Sequence, residues 1–79
     1  MDPWEYACKW VPLIYGINPD ERGFKDAAAR EISRITGRHT GSIRNWGSQF
    51  ENAPQDVRLI LKMADLLNAV AKDWHFPNS

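Results

Sequence analysis

Residues 54–74 have the pattern of one long helix with apolar faces. Their apolar side chains recur at intervals of three and four, and Pro54 and Asp56 are typical of a helix start. A helix of this length extends for about 30 Å, which is the diameter of a small domain. The whole chain has 79 residues. One helix that spans the domain therefore favours an all-α fold, with shorter helices packed around it.

This predicted C-terminal helix has two apolar stripes, although a single small domain buries only one. One stripe consists of Val57, Ile60, Leu61, Ala64, Leu67, Ala71 and Trp74, and the other of Leu59, Met63, Leu66 and Val70. An uncovered stripe indicates a partner, most simply a second copy of the chain. The predicted dimer interface consists of Leu59, Met63, Leu66, Val70 and Trp74. The alternative is that the Trp-rich N-terminal segment folds back over the second stripe.

Two further helices are predicted in the first half of the chain. The first begins after Asp2, a favourable N-cap. Pro12 cannot donate a backbone hydrogen bond, so we expect this helix to kink or end near Trp10. The second covers about residues 23–35, and Gly37 follows it in a position suited to the left-handed conformation that ends helices.

A third, short helix is predicted over about residues 40–50. Ile43, Trp46 and Phe50 recur on one side of it. Two internal glycines each lower its stability by about 1 kcal/mol relative to alanine, so packing through Trp46 must hold it. The sequence thus predicts a compact four-helix, all-α domain that covers residues 1–79.

Composition excludes several protein classes. A lone Cys8 cannot form an internal disulfide, which excludes the disulfide-rich secreted class. One cysteine and two histidines cannot supply a four-ligand metal site without carboxylates, so we expect no metal and no cofactor. The longest apolar run is far shorter than the ~20 residues of a transmembrane helix, and no signal-peptide pattern is present. We expect a cytoplasmic protein.

Catalytic arrangements are hard to build from this sequence. His39 and His75 are far apart, and Cys8 lies on an apolar stripe, which favours a core residue over a nucleophilic thiolate. Neither a phosphate-binding glycine loop nor a nucleophile elbow is found. We therefore expect no enzymatic activity and no small-molecule substrate.

The charge distribution is more informative than the total charge. Ten basic and ten acidic residues cancel. Residues 22–44, however, contain six basic side chains and two acidic ones. This concentration suits a polyanion, although solvated helix faces are often charged in the same way.

Residues 26–46 have the order of features found in one group of DNA-binding proteins. A helix with small and β-branched apolar residues is followed by a Thr-Gly turn at Gly37. The next helix has Ile43 six positions after that glycine and Trp46 three positions further on. This stretch, with the motif extending over about residues 26–50, resembles the helix-turn-helix family of small bacterial and phage regulators. It departs from the family pattern at Arg38, which follows the turn glycine where an apolar residue is usual.

The resemblance implies that residues Thr40–Phe50 form the recognition helix, which enters the major groove of duplex DNA. The implied base contacts are Thr40, Ser42, Arg44, Asn45 and Ser48, and the implied phosphate contacts are Arg30, Arg34, Arg38, His39 and Gln49. Arginine pairs with guanine, and asparagine or glutamine with adenine. A structural alternative stays open for the arginines. Arg44 has Glu51 nearby in sequence, and Arg30 and Arg34 have Asp26 and Glu31 as neighbours.

We therefore expect a small transcriptional regulator that binds a palindromic DNA site as a homodimer and is associated with the nucleoid. Dimerisation would place two recognition helices about 34 Å apart on one face of the duplex. The alternative is an adaptor or architectural subunit of a larger DNA-processing complex, such as one for replication or transposition. That subunit would bind its partner through the apolar stripe of the last helix.

Overall fold

The computed structural model describes residues 1–75, with side chains described as far as residue 73. Its four helices are α1 (Pro3–Tyr15), α2 (Phe24–Thr36), α3 (Thr40–Arg44) and α4 (Gln55–His75). No strand occurs within the described part of the chain. The predicted all-α architecture is confirmed, and α2 and α4 lie within a residue of their predicted bounds.

Helix α1 begins as predicted but continues further than expected. The Asp2 side chain accepts a hydrogen bond from the backbone N–H of Trp4 at 2.7 Å, which caps the first turn. The predicted end near Trp10 is wrong, because Pro12 lies inside a helix that ends only at Tyr15. Trp10 and Val11 before the proline are buried, and Tyr15 after it donates a hydrogen bond to Glu31, so tertiary contacts hold the helix on both sides of the missing donor.

The junction between α2 and α3 is a tight turn. Gly37 has a φ of 74° and donates its backbone N–H to the carbonyl of Ser33, which ends α2 as predicted. His39 then caps α3, because its Nδ1 accepts from the N–H of Gly41 at 3.1 Å. Only two residues therefore separate the glycine from the start of the next helix.

Helix α3 is much shorter than predicted. It ends at Arg44 rather than near Phe50, and the following residues form turns. Gly47 and Phe50 both have positive φ, at 114° and 57°, which an α-helix does not allow. Phe50 is nevertheless fully buried. The periodicity correctly predicts that Phe50 is a core residue, but Phe50 reaches the core from a turn and not from a helix.

The core joins all four helices through one apolar cluster. Ala28 and Ala29 on α2 are fully buried, which allows the neighbouring helices to approach closely. Trp4 packs edge-on against Phe24 and tilted against Phe50, with ring centroids 5.2 and 5.7 Å apart. The other fully buried apolar side chains include Tyr6, Val11, Ile32, Ile43, Val57 and Leu61. Trp46 is half-buried against this cluster, in agreement with its predicted anchoring role.

A buried carboxylate links three of the helices. Glu31 on α2 is fully buried and accepts hydrogen bonds from the hydroxyl of Tyr6 at 2.9 Å and from that of Tyr15 at 3.2 Å. Arg34 donates to both carboxylate oxygens, at 3.0 and 2.8 Å. Asn68 on α4 donates to the Tyr6 hydroxyl at 2.9 Å. The network fixes α1, α2 and α4 relative to one another.

Helix α4 turns only one of its faces toward this core. Its buried face includes Val57, Leu61 and Asp65, and Asp65 accepts a hydrogen bond from the Trp10 indole at 2.8 Å. Lys9 also forms an ion pair with Asp65 at 2.8 Å. Helix α1 thus lies against this face, so the predicted alternative that the N-terminal segment covers the second stripe is wrong. No helix in the described residues is long and apolar enough to cross a membrane.

Candidate nucleic-acid interface and the exposed face of helix α4

The side chains predicted to contact bases lie on and just after α3. Ser42, Arg44, Asn45 and Ser48 are exposed, and Thr40 is half-buried. Ile43, between them, is fully buried and holds α3 on the core. Ser48 and the predicted phosphate contact Gln49 lie in the turn beyond α3 and not on a recognition helix, because the helix ends at Arg44. Ser42 and Arg44 lie on α3 with Thr40, and Asn45 follows directly as the C-cap of this helix.

His39 is fixed at the start of this segment. Its Nδ1 accepts the backbone hydrogen bond of the cap, so a neutral ring has its proton on Nε2, where it can donate to a phosphate oxygen. A Cβ atom at Gly41 would lie 3.2 Å from this Nδ1. The absence of a side chain at Gly41 therefore leaves room for the histidine cap.

Arg44 is paired with an acidic residue of α2. Its Nε donates to Asp26 at 3.0 Å, and both side chains are substantially exposed. Glu51, the partner considered from the sequence, instead accepts from the backbone N–H of Gln49 at 2.9 Å. Hydrogen bonds from its own backbone N–H and from that of Gln49 lower the pKa of Glu51. The Arg44–Glu51 alternative is therefore wrong, and the competing anion is Asp26.

Arg38 and Arg34 also have acidic partners, but the two pairs differ in exposure. Arg38 forms an exposed ion pair with Asp56 in the first turn of α4. Arg34 binds the fully buried Glu31, and this hydrogen bond raises the pKa of the Arg34 guanidinium. Exposed pairs are worth between about 0 and 1 kcal/mol and exchange partners easily, whereas a pair with a buried carboxylate does not. Arg34 is thus the predicted phosphate contact that the structure supports least.

Among the arginines predicted to contact phosphate, Arg30 is the one whose side chain no carboxylate holds in the described residues. It is exposed on α2, one turn after Asp26, and no ion pair or hydrogen bond of its side chain is found among the described residues. Residues four apart lie on the same strip of a helix. Arg30 and Arg44 therefore both lie near Asp26, on an outer surface shared by α2 and α3.

Two carboxylates reduce the positive charge of the candidate surface. Asp26 and Asp56 offset two of the arginines that made the middle of the chain look basic. Asp26 lies near Arg30 in sequence, but its partner is 18 positions away, and Asp56 is also 18 positions from Arg38. Only the tertiary fold brings these pairs together.

The second stripe of α4 is uncovered in the single chain. Leu59, Met63, Leu66 and Val70 are exposed to between 53% and 64%. The first stripe is not buried along its whole length, because its Leu67 is 68% exposed and its Ala71 is exposed as well. The neighbouring Asn68 and Ala69 still contact α1 and the core, so Leu67 lies on the outward side of α4. The Trp74 side chain, part of the predicted dimer interface, lies outside the described side chains.

Metal-binding and nucleophilic groups are sparse in the described residues. No cluster of three or more histidine, cysteine or acidic side chains there could hold a metal ion. Cys8 is half-buried against the core, and burial raises the pKa of its thiol. A raised pKa disfavours the reactive thiolate at neutral pH.

Comparisons with known proteins identify no relative. No protein-family model, curated protein or solved structure matches this chain.

Proposed function

We propose that this protein binds duplex DNA through the outer surface formed by α2 and α3. The observation that carries the proposal is the arrangement of α3 on α2 through the Gly37 turn. It buries Ile43 and leaves Ser42, Arg44 and Asn45 exposed on one short segment. Hydroxyl, guanidinium and amide groups are the side chains that recognise base edges in the major groove.

The ion pairs on this surface are compatible with DNA binding. Arg44 and Arg38 are held by exposed carboxylates, and the low cost of breaking such pairs lets a phosphate or base replace the carboxylate. Arg30 needs no such exchange. Three arginines per copy are then available for DNA, while Arg34 stays on Glu31 and maintains the fold.

A zero net charge limits how tightly one copy can bind. Phosphate neutralisation supplies most non-specific affinity, and three exchangeable arginines make this contribution small. We infer that sequence-specific binding requires base contacts and two copies on a palindromic site. We therefore propose a role in transcription regulation.

The experiment is a comparison of two single-charge variants. Arg44→Ala should weaken binding to a labelled random duplex several-fold at low salt, because it removes one positive charge from the proposed surface. Lys62→Ala removes the same charge from α4 and should leave binding nearly unchanged. Circular dichroism should show the same helix content for both. Equal binding by all three proteins would overturn the proposal.

A second candidate function is supported by the uncovered stripe of α4. An adaptor or architectural subunit would use that stripe to bind another protein, and Arg44→Ala would then have no effect. Leu66→Asp would abolish the interaction instead. The zero net charge favours this candidate, whereas the polar outer face of α3 favours DNA.

A further inference from the structure

We infer that the exposed face of α4 is the contact surface for a second copy of this chain. The exposed apolar face of α4 consists of Leu59, Met63, Leu66, Leu67 and Val70. The inference rests on the proposed function, because it supplies the pairing that a palindromic site requires. Its evidence, however, comes from α4 alone.

The spacing of these residues is that of a helix-pairing surface. Leu59 and Leu66 are seven positions apart, and so are Met63 and Val70, so together they alternate in steps of four and three. This is the a and d pattern of two heptads in a coiled coil. Leu67 lies beside Leu66 and widens the face. Random exposed apolar residues would not keep this register over three turns.

The area of the face is in the range that a dimer needs. Each of its five side chains is more than half exposed. Together they present roughly 300–500 Å² of apolar surface per copy, by area estimates for side chains of this size. Two such faces, with a polar rim, approach the lower limit of about 1,000–1,200 Å² for specific interfaces. The dimer should therefore dissociate on dilution.

The opposite face of α4 is already occupied. Asp65 and Asn68 bind side chains of α1, and Val57 and Leu61 are buried in the core. Two-fold pairing uses the same patch on both copies, and a face with one chemical character is complementary to itself. The zero net charge also means that two copies do not repel each other.

The C-terminal half of α4 has a physical need for a partner. From Leu66 to Asp73 every residue is exposed except Asn68 and Ala69, which are half-buried. Isolated helical segments of this length are marginal in water, since packing supplies most helical stability. A second copy of α4 provides that packing, so dimerisation should protect these backbone amides from exchange.

The experiment measures mass against concentration without DNA. Sedimentation of the full chain should shift from a monomer of 9.1 kDa toward twice that mass between about 1 µM and 1 mM. Leu66→Asp and Met63→Asp should remain monomeric with unchanged helix content. Leu13→Asp is the matched control, because Leu13 is 61% exposed on α1, and it should dimerise like the unchanged chain.

Hydrogen exchange gives an independent readout. Amides of residues 66–73 should become protected as the concentration rises in the unchanged chain, but not in Leu66→Asp. A chain that stays monomeric throughout, or a Leu66→Asp variant that still dimerises, would overturn the inference. Because no DNA is present, either result is separate from the Arg44 test. A monomer that still binds DNA through Arg44 would refute only the dimer.

Discussion

The hydroxyl of Tyr6 on α1 donates a 2.9 Å hydrogen bond to the fully buried carboxylate of Glu31 on α2. The same hydroxyl accepts from Asn68 on α4 at 2.9 Å. Burial and the adjacent carboxylate raise the pKa of Tyr6. A single phenol therefore connects three helices and keeps a buried charge hydrogen-bonded, and α2, which supports α3, depends on it.

Tyr6→Phe should destabilise the fold by about 2 kcal/mol, because it removes a hydrogen bond to a charged group and leaves Asn68 without this partner. Tyr15→Phe should cost less, since Tyr15 is only half-buried and its bond to Glu31 is longer, at 3.2 Å. Urea unfolding of both variants checks the order. Equal costs would contradict a central role for Tyr6.

The same tyrosine predicts a loss of stability in alkali. The folded pKa of Tyr6 lies above its unfolded value, so its contribution is complete below about pH 10 and falls as the pH rises above that value. Tyr6→Phe should flatten this decline in the melting temperature. A smaller decline in the melting temperature should remain in the Tyr6→Phe variant, because burial also raises the pKa of Tyr15.

Asp65→Asn tests the link between α1 and α4 in acid. Hydrogen bonds from Lys9 and then Trp10 lower the pKa of Asp65 in the folded chain. The stability it contributes is present above the unfolded value of about 3.9 and is lost as the pH falls through that value toward the lower folded one. The melting temperature of Asp65→Asn should therefore fall less steeply below about pH 4. Asp73→Asn, an exposed carboxylate on the same helix, should behave like the unchanged chain.

Gly37→Ala should destabilise the chain by about 1 kcal/mol. Nothing lies within 4 Å of a Cβ atom at this position, so the cost comes only from the φ of 74°. Gly37→Asn should cost less, because asparagine tolerates this conformation. Thermal melts of the two variants measure the difference. An alanine variant as stable as the unchanged chain would contradict the assigned turn.

Asp26→Ala should strengthen binding to random duplex DNA several-fold. The change releases Arg44 and removes a negative charge from the proposed surface. Asp73→Ala removes the same charge near the far end of α4 and should have little effect. Weaker binding by Asp26→Ala would show that the carboxylate does not compete with DNA.

The sequence predicted the helices where local signals and burial agree. Asp2 begins α1 and Gly37 ends α2 through local capping hydrogen bonds, so both roles can be predicted without the fold. The helix end predicted from Pro12 is wrong, because the packing of buried α1 residues stabilises this helix by more than one missing hydrogen bond destabilises it. Phe50 has the spacing of a helical core residue, but its positive φ belongs to a turn that no periodicity rule describes.

The proposed site was less predictable than the fold. The candidate residues of α3 were identified from their order after Gly37, but the length of the helix was not. The partners of Arg44 and Arg38 are both 18 positions distant, so they depend on the tertiary structure. The exposure of Leu67 likewise depends on the tertiary structure, because α1 packs against the side of α4 that carries Asp65 and Asn68.

The most direct test of the DNA-binding proposal is the salt dependence of affinity for a random duplex. Three exchangeable arginines predict that affinity falls with a log–log slope of about −3 per copy, and about twice that for a dimer. A slope of this size, reduced by about one in Arg44→Ala, would support the proposed surface. No binding at low salt, or a slope near zero, would contradict the account.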